Sequence, residues 1–254
     1  MRLLLGLAGL LGFGLIFEAI PRIGLVSPED VPPTSKILST LAEQLTQERF
    51  LTALLDTLRT WVLGLAIAVA AGVVLGVAIG RSRPLRALTH STIEFLRPIP
   101  SVALIPLAVL LYGSTIRSTL ILVVYASFWQ VLVNVLHGVA DVDPVARDTA
   151  AAYRLPAIAR IRYLIWPTTL PYAVTGIRLA TSVALILTVT GELIIGSPGL
   201  GKEIAVAQAS GATPAMYAMV LIAGLAGVAD NLITRTAERR VLAWHPSIRR
   251  EVPA

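Results

Sequence analysis

Trp61 to Ile79 is a run of nineteen residues without a charge, and it limits the fold more than any other feature of the chain. A hydrocarbon core about 30 Å thick is crossed by roughly 20 mostly apolar residues in a helix, which bonds its own backbone where no water can. Comparable runs recur. Leu3 to Ile20 is apolar apart from Glu18. Ile99 to Tyr112 is short alone, but His90 to Leu96 leads into it as a tilted or interfacial turn. Thr119 to Leu136 is apolar with Gln130 and Asn134 inside, Leu170 to Ile195 carries Arg178 and Glu192, and Met216 to Ile233 carries Asp230 and Asn231. The expectation is an all-α membrane protein with six spans, at about 3–20, 61–79, 90–112, 119–136, 170–195 and 216–233, in one transmembrane domain covering 1–254.

Composition closes the soluble alternatives. Hydrophobic residues make up 56% and charged residues 14%, against about a quarter charged in a soluble domain. With no cysteine, disulfides, thiolate metal sites and cysteine catalysis are excluded. The net charge of +6 follows membrane topology and does not point to nucleic acid. The first run begins as a secretory signal would, yet Phe17 to Pro21 offers no small-x-small cleavage site, which favours an uncleaved first span.

Cytoplasmic loops accumulate Arg and Lys. Placing both termini in the cytoplasm puts 13 of the 21 cations inside, at Arg2, Arg81 to Arg86, Arg147 to Arg162, and the tail at 234–254 with Arg249 and Arg250. Six face outward (Arg22, Lys36, Arg49, Arg59, Arg117, Lys202), mostly in one long loop beside acids. In that loop Ile37, Leu38, Leu41, Leu45 and Leu51 recur at helical spacing after the helix-stopping Ser27-Pro28 and Pro32-Pro33. Periodicity alone leaves two readings open, a helix on the outer membrane surface and one packed on the protein itself.

Several motifs carry less than they suggest. Gly196 to Lys202 nearly spells GxxxxGK[ST], but Glu203 stands where the hydroxyl belongs, and a span precedes it in place of a strand. The expectation is a Gly/Pro-permitted turn into a short outer helix. The three histidines, His90, His137 and His245, lack metal-ligand spacing, so no metal site is expected. Gly72, Gly76 and Gly80 form a small-xxx-small row for close helix approach. Ionisable groups inside spans face a cavity or a partner. For Arg178 and Asp230 a structural ion pair competes with a substrate role, and Glu192 either lines the pathway or marks the interface.

The segment 139–167 is too long for a tight turn and basic in its second half. Ala146 to Tyr153 and Ala157 to Ile165 read as two short helices joined at Arg154-Leu155-Pro156, proline being favoured in a first helical turn. Such an elbow is a handle for a cytosolic partner, or else a basic anchor at the inner interface.

Asp148-Thr-Ala-Ala-Ala-Tyr-Arg154, then Ile165-Trp-Pro167 and Leu170-Pro171, resembles the EAA loop of bacterial ABC importer permeases. Phe95 to Pro100, Leu104-Ile-Pro106, Thr175 to Leu179, Gly191-Glu192, Gly199-Leu-Gly201, and Asp230 with Glu238-Arg-Arg240 resemble the nitrate/sulfonate/taurine-type branch. The similarity runs from the first span to about Trp244. It implies a type I permease fold in the bacterial cytoplasmic membrane, with no catalysis and no cofactor on this chain. It also implies a second permease copy as a homodimer, surrounding lipid, two cytosolic ATPase subunits carrying ATP and magnesium, and an extracytoplasmic solute-binding protein.

The resemblance assigns ATPase coupling to Asp148, Ala150, Ala151, Ala152, Tyr153, Arg154, Leu155, Pro156 and Ala157. Arg178 and Glu192 are candidates for the substrate pathway, and Arg97, Pro98, Pro100 and Asp230 for gating or structural roles. The sequence departs from the family at Asp148, Thr149 and Arg154. Arg154 stands where the loop's glycine is expected, which predicts a wider elbow or different pairing. The rival reading is an ion-coupled secondary transporter, which calls for internal repeats and midplane ionisable sites. Neither is visible in the sequence, and an intramembrane enzyme lacks any nucleophile or metal constellation.

Overall fold

The computed structural model describes residues 2–244. His245, Arg249 and Arg250 lie outside the described residues, as does the rest of the expected tail beyond Trp244. Among the described residues the chain is helical, with no strand. The helices are α1 (Arg2–Arg22), α2 (Thr34–Gln44), α3 (Glu48–Arg81), α4 (Arg83–Leu96), α5 (Ile105–Tyr112), α6 (Ile116–Ala140), α7 (Pro144–Ala152), α8 (Ala157–Arg160), α9 (Trp166–Ile195), α10 (Leu200–Ala209) and α11 (Thr213–Val241).

Four helical segments among the described residues are long and apolar enough to cross a membrane: Glu48–Arg81, Ile116–Ala140, Ala157–Ile195 and Thr213–Val241. A fifth arises if Arg83–Leu96 and Ser101–Tyr112, bent by 85°, count as one span. Helix α1 coincides with the expected first span but is not among these segments.

The expected turn between His90–Leu96 and Ile99–Tyr112 is a sharp bend, because Pro98 and Pro100 lack the N–H groups a helix would use there. Two sequence expectations need correction. The second short helix of the elbow is not separate. From Ala157 the chain passes through a π-helical turn, Ile161–Ile165, directly into α9. Pro167 has no N–H to offer the preceding turn, and a wider turn accommodates that loss. The expected Arg81 to Arg86 loop is a tight joint. Ser82 alone separates α3 from α4, and its hydroxyl accepts the Leu85 N–H at 3.3 Å.

The described residues group into two compact units. One comprises the chain up to Arg59 with Val189–Ala226. Its core joins Ile37 and Leu41 of α2 and Phe50 and Ala53 of α3 to Leu200, Ile204 and Ala207 of α10. The amphipathic segment therefore ends at Gln44, with Leu51 belonging to α3, and its Ile37–Leu41 face packs on the protein itself. The other unit comprises Thr60–Thr188 with the chain from Gly227 on. Its centre is a seam between α3 and α6. A Cβ on Gly72, Gly76 or Gly80 would come within 2.8 Å of Val131, Val135 or Val139 in turn. Gly64 against Val123 and the fully buried Ala68 extend the seam toward the start of α6.

Gly76→Ala should therefore destabilise the protein, since overpacking a fitted contact costs about 1–3 kcal/mol. Gly9→Ala, at a position with nothing within 4 Å, should leave stability unchanged or raise it. Thermal unfolding of the detergent-purified protein checks both.

Candidate functional site

The elbow is fixed at each end by its own side chains. The Asp143 carboxylate accepts the Val145 N–H at 2.8 Å, and Pro144 occupies the first helical position of α7. Arg147 donates to the Val139 carbonyl at 3.1 Å, tying α7 back to the end of α6. At its other end α7 closes in a Schellman motif. The Arg154 N–H donates to the Ala151 carbonyl at 2.9 Å, and the Leu155 N–H to the Ala150 carbonyl at 3.0 Å. Arg154 has φ +51°, making it the one non-glycine residue with positive φ among the described residues.

This corrects the expectation of a wider elbow. Arg154 adopts the left-handed conformation that a glycine would supply, so the tight turn survives without one. Arg160 Nε then donates to the Leu155 carbonyl at 2.8 Å across Pro156. Ala150 is buried, whereas Asp148, Ala151, Ala152, Tyr153, Arg154, Leu155, Pro156 and Ala157 are exposed. Tyr153 and Ile158 are each 79% exposed, so two large apolar side chains stand free at the tip.

Glu192 has no exposure at all. Its Oε2 accepts the Thr57 hydroxyl at 2.8 Å and the Gly201 N–H at 3.0 Å. Thr57 Oγ1 in turn accepts the Leu200 N–H at 2.8 Å. The carboxylate thus occupies the anion position that the first turn of α10 creates. A Cβ on Gly199 would overlap that carboxylate, and one on Gly201 would strike the Val189 carbonyl. The Gly196 to Lys202 loop wraps the chain's own Glu192 where a nucleotide phosphate would sit in a true phosphate loop. Sequence reasoning missed Thr57, one of three threonines in the first half of α3 with nothing local to single it out.

Arg178 and Asp230 do not pair with each other. Arg178 donates to Glu238 at 3.1 Å and to Asn231 at 3.3 Å, while Asp230 accepts from Ser182 at 3.3 Å. Arg97 ends α4, and Pro98 and Pro100 make the bend that follows. The Tyr125 hydroxyl holds that bend by donating to the Leu96 carbonyl at 2.6 Å. Two cavities flank the second half of α6. One of about 660 Å³ is lined by Asn134, His137, Asp141, Tyr172 and Trp244 among others. One of about 230 Å³ lies along α4 and also touches His137.

The profile of the family described as binding-protein-dependent transport system inner membrane component matches residues 51–242. The chain is 28% identical over 238 residues to the taurine transport system permease protein of Escherichia coli, covering 92% of this chain and 86% of that protein. It is 26% identical over 214 residues to the bicarbonate transport system permease protein of Synechococcus elongatus, covering 78% and 75% respectively. A crystal structure of an amino acid ABC transporter with histidines matches the fold at a TM-score of 0.64 and 19% identity, covering 80% of this chain and 98% of that one.

Removing the strained side chain at the elbow should cost nothing. A left-handed residue with a Cβ carries a penalty of roughly 1–2 kcal/mol, so Arg154→Gly should match or exceed wild-type stability and Arg154→Val should fall below it. Thr57→Val, which strands the Leu200 N–H and part of the Glu192 carboxylate, should cost about 1–3 kcal/mol. Thermal melts of the purified variants read all three.

Proposed function

Because this chain belongs to the family of binding-protein-dependent transport system inner membrane components, and is the membrane-spanning permease subunit of an ABC importer, not an enzyme, we propose that it carries a small oxyanion and is driven through the elbow. The permease works with an ATPase and a solute-binding protein. On this reading ATP and magnesium reside on the ATPase, two permease copies line one pathway, and both termini lie in the cytoplasm among the inner cations. Taurine, a sulfonate, and bicarbonate are the cargoes in the names of two relatives, and an oxyanion is what they share.

The observation that carries the coupling role is the elbow's combination of rigidity and exposure. Two backbone hydrogen bonds and a left-handed Arg154 hold the turn, while Tyr153 and the small Ala151 and Ala152 are presented outward. A rigid lever can transmit only what its partner's two states impose differently, and a floppy loop would dissipate it. Any pathway role of Arg178 and Glu192 comes in addition to tasks they already have. Glu192 already has a structural task, and Arg178 is paired.

Ala151→Trp should clash with a fitted ATPase groove. An overpacking cost of about 1–3 kcal/mol corresponds to roughly a 5- to 150-fold loss of association. Co-purification of the ATPase, together with uptake of labelled taurine and bicarbonate by the complete system, measures this. Full retention of both would remove the elbow from the mechanism. For orientation, cysteines placed singly at Ser39 and Arg83 in this Cys-free chain should differ in intact cells. Ser39→Cys should react with an impermeant thiol reagent and Arg83→Cys should not, and the reverse pattern would invert the topology.

A further inference from the structure

We propose that the α4 side of the broken span forms an oxyanion-binding site, with Arg97 as its principal ligand. The site deepens the oxyanion reading above and rests on it for the cargo, although its geometry stands independently. Helix α4 is amphipathic in an unusual sense. Arg86, His90, Glu94 and Arg97 follow one another at helical spacing and line the cavity of about 230 Å³ that α4 makes with Val133, Leu136 and His137 of α6. The opposite face carries Leu88 and Phe95, 76% and 71% exposed. The charged face thus turns toward a cavity inside the span and the apolar face away from it, as expected of a helix that borders an aqueous route and not a soluble surface.

Depth supports the same assignment. Leu96, the last residue of α4, is bonded to Tyr125, which lies about 13 Å along α6 from its first residue at 1.5 Å per residue. The bend therefore falls inside the membrane-crossing length of α6 and not at its end. Interrupted backbone at such depth is tolerated where it is covered by protein or borders water, and Arg97 sits at that interruption.

The side chains are also uncommitted. Arg86 gives one bond to the Gly80 carbonyl at 2.7 Å, closing α3. Among the described residues His90, Glu94, Arg97 and His137 make no side-chain hydrogen bond or ion pair. Two arginines and two histidines against one glutamate give the cavity a surplus of donors, and guanidinium groups favour planar or tetrahedral oxyanions through paired N–H bonds. The volume equals roughly eight water molecules at about 30 Å³ each, room for a sulfonate or bicarbonate with part of its hydration. Glu94 would then serve the ammonium of a zwitterionic cargo or stand clear of a simple anion.

The test uses the assembled permease–ATPase complex with a single cysteine, Ile93→Cys, on the cavity wall. Its labelling by N-ethylmaleimide, read on the permease chain, is compared in sodium ethanesulfonate and in sodium chloride at equal ionic strength. Ethanesulfonate should slow labelling about fivefold or more, Arg97→Gln should abolish that protection, and Arg97→Lys should restore most of it because the charge-assisted bond is kept. Leu88→Ala, on the opposite face, should leave protection intact and shows that a changed α4 still assembles. Absence of protection in the parent, or protection that survives Arg97→Gln, overturns the site. Uptake of taurine and bicarbonate is scored separately, so a protected cavity in a complex that imports neither would sink the cargo reading alone.

Discussion

Inside a bilayer no water completes an unfinished hydrogen bond, and the organisation of this chain follows from that restriction. Most polar groups set in the apolar helices find a partner within the protein, the buried Trp129 Nε1 and Thr169 Oγ1 being exceptions. Glu192 finds Thr57 and the first turn of α10, Trp61 donates to the Thr181 carbonyl at 3.0 Å, and Ser127 reaches the Ala180 carbonyl at 3.3 Å. With no hydrophobic drive between helices in lipid, close packing supplies the remaining cohesion. That is why the α3–α6 seam sets glycines against valines.

Two exposed groupings are not held in this way. At the elbow the unsatisfied surface is apolar, with Tyr153 and Ile158 standing exposed on a turn whose backbone bonds are complete. Along α4 it is polar, with Arg97, His90 and Glu94 gathered around a cavity. The first arrangement suits a protein partner that covers apolar side chains, the second a hydrated ion that crosses. A lever and a route are the two things an importer's membrane subunit must supply.

Much of this was legible in the sequence. Four of the long apolar runs, the break at Pro156, the Gly72–Gly76–Gly80 row and the turn before α10 all arise from local rules of length, proline and glycine, and each appears where those rules place it. What escaped depended on distant contacts or on charges at the ends of apolar runs. Helix α3 begins at Glu48, well before Trp61, because Arg49, Asp56 and Arg59 lie on a stretch that is helical but not lipid-like. The task of Glu192 is set by Thr57, 135 residues away in sequence, and no local pattern announces it. Arg154 is instructive in the other direction: a missing glycine argued for a changed turn, yet the two backbone bonds hold an arginine in the same conformation.

The proposed seating of the elbow tip in the ATPase is tested most directly by replacing Tyr153 with the photoreactive aromatic p-benzoylphenylalanine and irradiating the assembled transporter. An adduct between the permease and the ATPase chain, weaker or absent when the photoreactive residue is placed at Ser39, is the predicted result. A fully assembled, transporting complex that yields no such adduct from Tyr153 would contradict the account.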